Sequence, residues 1–253
     1  MKLTEMVKVL DAELDIASFA AVDIALNGLQ VGSHEKEVKK VALAVDASLA
    51  TFKAAASWGA DAIMVHHGLF WGQPLALTGA HHDRVKFLMD NDIALYAAHL
   101  PLDAHPTLGN NACIARKLGI DRPVPFGLYK GVRIGFKGIL ATPVEADEIA
   151  ARLGYDESTG LKILTFGPRK IRSIGIVSGG AADDVHDALA DGLDAFLTGE
   201  ALHQVYHDCM ENGITMICGG HYATETLGVQ AVGHFLAEGY GVDASFIAIP
   251  TGL

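Results

Sequence analysis

Cysteine is scarce in this sequence. Cys113, Cys209 and Cys218 are the only three, and they form no Cys-x-x-Cys pair, so neither a disulfide framework nor a zinc ribbon can be built from them. They are expected as buried reduced thiols. Positive charge is also short: 19 Lys and Arg stand against 30 Asp and Glu, leaving a net charge of -11. That field disfavours generic binding to phosphate backbones and anionic lipid, so nucleic acid is not an expected partner. No apolar run approaches the roughly 20 residues of a membrane span, and Met1 to Leu14 lacks the basic, apolar, small-residue order of a secretory signal. The reading is a cytoplasmic protein with no membrane contact. Known nucleotide loops are missing as well. Asn27-Gly28-Leu29-Gln30-Val31-Gly32 is a glycine-punctuated turn without the Lys-Ser/Thr of a phosphate loop, and no G-x-G-x-x-G opens a helix. No Gly-x-Ser-x-Gly elbow presents a nucleophile.

What is present is apolar residue in short runs: 50% of 253 residues are hydrophobic and 19% charged, enough for one large domain or two small ones with a sizeable core. Apolar segments at Val41 to Asp46, Ala62 to His67, Ile93 to His99, Ser173 to Gly179, Ala195 to Glu200, Thr215 to His221 and Asp243 to Ile249 read as strands. Most are apolar throughout, as strands buried on both faces require. Ser48 to Trp58, His82 to Asn91, Leu108 to Leu118, Ala181 to Ala190 and Ala223 to Glu238 carry helical spacing, and Thr142-Pro143 with Glu145 reads as a further helix start. The class is α/β with mixed sheets flanked by helices. Val41 to Gly68 aligns without gaps on Ile174 to Ala201, 133 residues on, and Gly59-Ala60-Asp61-Ala62 falls on Gly192-Leu193-Asp194-Ala195. Each copy reads as one βαβ unit. Ala98 to Asp103 lies over Gly220 to Glu225 at an offset of 122. The chain therefore divides into a first α/β half, residues 1–122, and a second, 123–253, with the C-terminal segment packing back on the first half. Pro123 to Arg172, rich in glycine among β-prone residues, suggests a hairpin-bearing segment that covers or links the halves.

Several strand ends carry imidazole or carboxylate, where open α/β sheets place their ligands. Val65-His66-His67-Gly68 delivers two adjacent imidazoles to a glycine-opened turn. Successive strand residues point to opposite faces, so the pair serves two ions more readily than one. His99 is followed four residues later by Asp103, and His221 by Glu225, one helical turn in each case. Imidazole with carboxylate is the donor set of zinc, manganese, iron and similar ions. Two such elements supply enough ligands for a pair of ions roughly 3.5 to 4 Å apart. In the second copy the position of His66-His67 is held by Gly199-Glu200, with His203 beyond. Glu200 and His203 are either proton-transfer or orienting groups beside the ligands, or an ordinary helix start ahead of Ala201 to Asn212. Gly109-Asn110-Asn111 caps a helix beside Asp103, His81-His82 reads as a solvated helix start, and Cys218 as packing.

In this order, Asn27 to Gly32, Val45-Asp46-Ala47-Ser48, Val65 to Gly68, His99 through Asp103 to Asn111, Thr198-Gly199-Glu200 with His203, and His221 through Glu225 resemble the Nif-three-like dinuclear-metal family, whose members carry the label GTP cyclohydrolase 1 type 2 homologue. The resemblance covers nearly the whole chain. It implies two intertwined α/β halves of the Nif-three-like fold and two divalent metal ions per subunit. It further implies His66, His67, Asp103, His221 and Glu225 as their ligands, Glu225 bridging. It implies a toroidal homohexamer, a trimer of dimers, with the sites facing an internal cavity. The label implies hydrolytic opening of the guanine ring of GTP with release of formate. The broader expectation is metal-dependent hydrolysis of a nucleotide or related small molecule, and the alternatives are a metal-binding scaffold or regulatory partner, and a metal store. His99 is not among the implied ligands and is expected behind them, where it bears on chemistry more than on binding.

Overall fold

The computed structural model describes residues 1–253. In chain order its helices and strands are α1 (Leu3–Glu13), β1 (Gly28–Val31), β2 (Lys40–Asp46), α2 (Leu49–Trp58), β3 (Ala62–His67), α3 (Gly79–Asp90), β4 (Ala94–Ala97), α4 (Leu100–Ala104) and α5 (Asn110–Lys117). There follow β5 (Val124–Tyr129), β6 (Val132–Val144), α6 (Ala146–Leu153), β7 (Lys162–Thr165), β8 (Ile171–Ile176), α7 (Val185–Ala190), β9 (Ala195–Thr198) and α8 (Val205–Asn212). The last are β10 (Thr215–Cys218), α9 (His221–Thr224), α10 (Thr226–Tyr240) and β11 (Asp243–Phe246). No helix is long and apolar enough to cross a membrane.

Two compact units share this chain. The first holds Met1–Leu102 and Gly228–Ile249, the second Asp103–Leu227 and Pro250–Leu253. The sequence suggests a break near residue 122. The division falls earlier because α5 buries Ile114, Ala115 and Leu118 with Ile149, Ile174 and Leu197 in the second unit's core.

The first unit is built on a five-stranded sheet of order β1-β4-β3-β2-β11. Strands β4, β3, β2 and β11 run parallel, and β1 lies antiparallel on the edge. Every residue of β2 between its two ends is buried, which accounts for its unbroken apolar sequence. Helix α2 packs Phe52 and Ala55 against Ala42, Ala44 and Ile63. Its start is set by Ser48, whose hydroxyl accepts the Thr51 N–H at 3.1 Å, and its end by Gly59 at φ +81°.

The second unit has a six-stranded sheet, β5-β6-β8-β9-β10-β7. Its parallel centre, β8-β9-β10, is flanked by antiparallel β6 and β7. The repeat read from the sequence is visible in its fastenings. In the first unit Asp61 Oδ2 accepts the N–H groups of Lys39 and Lys40, and in the second Asp194 Oδ2 accepts those of Arg172 and Ser173, the equivalent positions. The ladders pair Ala62 with Ala94 and Ala195 with Thr215. The second copy therefore carries one extra residue between its third strand and its histidine, at Gly219-Gly220.

The glycine-rich middle does form a hairpin, closed by Lys130-Gly131, both at positive φ, as a two-residue turn between twisted strands requires. Its strands are members of the second sheet. Three expectations are corrected here. Thr142 and Pro143 lie in β6, at the irregular register between Ile139 and Val144 where a missing N–H costs no ladder bond, and the helix starts at Ala146. Helix α8 starts at Val205 rather than Ala201. The segment from 223 is two helices, broken at Glu225. The three cysteines are buried and unbridged, as expected.

Candidate metal centre

In the first unit β3 ends on His66 and His67. His66 is fully buried, and its Nδ1–H donates to the Ala98 carbonyl at 3.0 Å. His67 Nδ1–H donates to Asp46 Oδ1 at 2.8 Å, Asp46 being the last residue of the neighbouring strand and the register partner of His67. His99 follows β4 directly, and its Nδ1–H donates to Asp23 Oδ1 at 3.0 Å. In each pair the acceptor is a carbonyl or carboxylate that cannot donate, so all three rings carry their proton on Nδ1. The ring centroid of His66 is 4.6 Å from that of His67 and 5.1 Å from that of His99.

Asp23 is nearly inaccessible, and it gathers His99 Nδ1–H and Ala25 N–H on Oδ1 and Asn27 Nδ2–H and Leu100 N–H on Oδ2. Burial pushes its pKa up, but the hydrogen bond and charge of His99, with those from Asn27 and Ala25, outweigh it and hold the carboxyl down at about 2. Asn27 Oδ1 also accepts the His99 N–H at 2.7 Å. Gln30, on β1, accepts Leu69 N–H and donates to Leu26 O. A Cβ on Gly68 would stand 2.2 Å from the Gln30 amide. The glycine-punctuated turn is therefore the brace behind the strand-end histidines. Trp71 closes the group: its Nε1–H donates to Gly68 O, and its indole stands edge-on to His99 at 5.0 Å and 5.9 Å from His67.

The second unit holds the carboxylates. Asp103, on α4, is buried; its Oδ1 accepts Asn110 Nδ2–H at 2.9 Å and Ser178 Oγ–H at 3.0 Å. Asn111 locks that corner from the side, donating to Asp103 O and Ile134 O and accepting Ser178 N–H. Gly109-Asn110-Asn111, read as a cap, thus holds the carboxylate in place. His221 opens α9. Its Nδ1–H donates to Glu200 Oε1 at 2.5 Å, and its Nε2 is 3.3 Å from Glu225 Oε1. The hydrogen bond to Glu225, with the charges of Glu225 and Glu200, overcomes burial and raises the His221 pKa to about 9. Glu225 is 3% exposed and lies against Gly179, where a Cβ would meet Oε1 at 2.3 Å. Gly179 has φ +70°, its N–H donates to Thr224 Oγ1 and its carbonyl accepts Thr198 Oγ1–H.

Of the two readings of Glu200, the contact with His221 Nδ1 supports the orienting one, since α8 begins five residues later. His203 is exposed in the turn ahead of α8, where its carbonyl accepts Tyr206 N–H. Exposed His82 bonds its neighbour Asp83. Sequence reasoning missed Asp23, Asp46, Ser178, Gly179 and Trp71 as parts of these groups. Asp46 alone had a signal, as the polar end of an apolar strand next to the one that ends in His66-His67.

The family profile described as Duf34/NIF3 (NGG1p interacting factor 3) matches residues 1–251. The GTP cyclohydrolase 1 type 2 homolog of Archaeoglobus fulgidus is 44% identical over 253 residues, covering 100% of both chains. That of Halobacterium salinarum is 44% identical over 234 residues, 91% of this chain and 92% of its own. Among solved structures, TTHA1606 from Thermus thermophilus superimposes with a TM-score of 0.87 at 40% identity over 100% of both chains. Reduced HcgD from Methanocaldococcus jannaschii gives 0.84 at 26% identity over 98% of both.

Proposed function

Because this chain belongs to the Duf34/NIF3 family, we propose that it is a dinuclear metal-binding protein whose ions, of the zinc, manganese or iron type, are held by His66, His67, Asp103, His221 and Glu225. One observation carries the reading. His66, His67 and His221 each commit Nδ1–H to an acceptor, respectively Ala98 O, Asp46 and Glu200, which orients Nε2 as the donor to a cation. Asp103 has the same backing, with Oδ1 fixed by Asn110 and Ser178. Buried imidazoles and carboxylates with such outer partners fit a divalent ion, and the donor chemistry suits a borderline metal rather than calcium.

Bound there, a pair of ions would supply Lewis acidity and lower the pKa of water at neutral pH. The chain's own part is positional. Asp46 and Glu200 hold the proton on Nδ1 of their histidines, and Gly179 leaves the room that the Glu225 carboxylate fills. On this reading the protein is a cytoplasmic, metal-dependent hydrolase of a nucleotide or related small molecule, working as a homohexamer. The relatives' name supports GTP as the first substrate to test. A scaffold without turnover is the second reading, favoured by the family description as an interacting factor.

GTP and a panel of nucleotides and phosphoesters, assayed with added manganese or zinc, separate the two. Turnover that disappears in Asp103→Ala is expected. No turnover of any member by metal-loaded protein would reject the hydrolase and leave the scaffold. Light scattering should give six chains per particle, and a stable monomer at micromolar concentration would contradict the ring.

A further inference from the structure

We propose that the second unit carries a binding site for a small organic anion with an apolar body, in a cleft of about 520 Å3 beside the hairpin of β5 and β6. The cleft opens where one strand outruns the other. Pairing of β5 with β6 ends at Val124 and Lys137, whereas β6 continues to Val144, so Gly138, Ile139 and Ala141 line the cleft beyond the last paired residue. The turn after α5 lies alongside, and its Ile120 Cγ2 stands 2.3 Å from where a Cβ on Gly138 would be. Glycine there lets the turn approach the strand. Leu193, two residues ahead of β9, completes the apolar lining. The volume falls within the roughly 300 to 1,000 Å3 of small-molecule sites.

Apolar surface and positive charge meet there. Val124 and Ile139 are 52% and 55% exposed, beside Ile120, Ala141 and Leu193, and a ligand's apolar body would cover them. Arg122 and Lys137 line the same cleft against the carboxylate of Asp121. Lys137 is held by Asp191 Oδ2 at 2.7 Å, but Arg122 makes no ion pair or side-chain hydrogen bond. Its guanidinium is therefore available to a carboxylate or phosphate, which its planar fork fits by two-point contact. The bias extends along the chain. Six of the 19 Lys and Arg stand between Arg116 and Lys137 with Asp121 as the only acid among them, in a protein of net charge -11. Charge of this sign selects an anion, and the apolar walls favour one with a hydrophobic body over inorganic phosphate.

The lining includes none of the candidate metal ligands, so the site goes beyond the metal-centre reading and is tested apart from it. The probe is anilinonaphthalene sulfonate, an apolar double ring with one negative charge, titrated by its fluorescence into the metal-loaded protein. One saturable site per chain is expected, emptied by naphthoate but not by neutral naphthalenemethanol or by inorganic phosphate at the same concentration, and unchanged after chelator removes the metal. Arg122→Gln should weaken probe binding roughly 10- to 100-fold, the worth of a charge-assisted contact. Ile139→Asp should weaken it about 10-fold or more, because a carboxylate enters the apolar wall. Leu128→Asp is the control: Leu128 is as exposed as Ile139, at 55%, and belongs to the same hairpin but does not line the cleft. It should bind the probe as the parent does. Where circular dichroism shows that Ile139→Asp does not fold, Ile139→Ser must weaken binding in its place. Equal affinity in the native, Arg122→Gln and Ile139→Asp chains, equal loss in Leu128→Asp, displacement by the neutral alcohol as readily as by naphthoate, or loss of the site with the metal would overturn the proposal. So would a native chain that takes no probe, including the case in which Ile139→Asp shrinks the particle in light scattering because a second copy covers the cleft.

Discussion

Gly179 is a position in the second unit where a side chain meets both a left-handed backbone and a candidate ligand, and replacing it with alanine probes the site at the level of single atoms. Two costs add. Its backbone is at φ +70°, where a Cβ costs about 1 to 2 kcal/mol against the following carbonyl. The same Cβ would stand 2.3 Å from Glu225 Oε1 and 3.3 Å from both the Glu225 carboxyl carbon and His221 Nε2, and forcing apart a packed buried contact costs about 1 to 3 kcal/mol. Together they predict a loss of roughly 2 to 5 kcal/mol in urea unfolding. Gly192 is the control, since it shares the left-handed backbone at φ +65° but has nothing within 4 Å of its Cβ position. Gly192→Ala should therefore show the backbone cost alone. The difference between the two variants measures the clash with Glu225, and Gly179→Ala should also lower metal occupancy while Gly192→Ala leaves it unchanged. Equal destabilisation by the two substitutions, with equal metal content, would refute the reasoning.

Other consequences follow from the same fold. Asp184 is partly buried beside Asp187 and Asp183, and burial first, then these like charges, raise its pKa from 3.8 to about 6. The folded state thus binds this proton more tightly than the unfolded chain, so its contribution is full below about pH 4 and is lost as pH rises to 6. Asp184→Asn should match the parent near pH 4 and exceed it at pH 7 by about 1 to 2 kcal/mol, discounted for solvent screening, in urea melts at the two pH values. Asp61→Ala and Asp194→Ala each remove a carboxylate accepting two backbone N–H groups, and should cost similar amounts, about 1.5 to 3 kcal/mol apiece, by the same melts. Asp46→Ala should leave stability almost intact yet weaken metal binding roughly 10- to 100-fold in a competition with chelator, because it takes the orienting partner from His67.

Strands buried on both faces announce themselves by uniform apolar sequence, and β2, β3, β9 and β10 are found where such runs stand. The repeat was equally legible, down to the pairing of Asp61 with Asp194. What the sequence could not carry was partnership across long separations. Asp23 and His99 are 76 residues apart, Asn111 and Ser178 are 67 apart, and no periodicity links them. Asp46 and His67 meet only because two parallel strands end in the same register. Pro143 misled for a local reason: proline is as well suited to an irregular stretch of ladder as to a first helical turn. Candidate ligands were thus readable as residue types at strand ends, whereas the groups that hold them became visible only in the folded units.

Metal content of the purified protein, loaded with zinc, manganese or iron and measured by elemental analysis per chain, tests the central claim most directly. About two ions per native chain are expected, with their loss from the folded His66→Ala/Glu225→Ala variant. Metal content that is unchanged in that variant, or a native chain that retains no divalent ion, would contradict it.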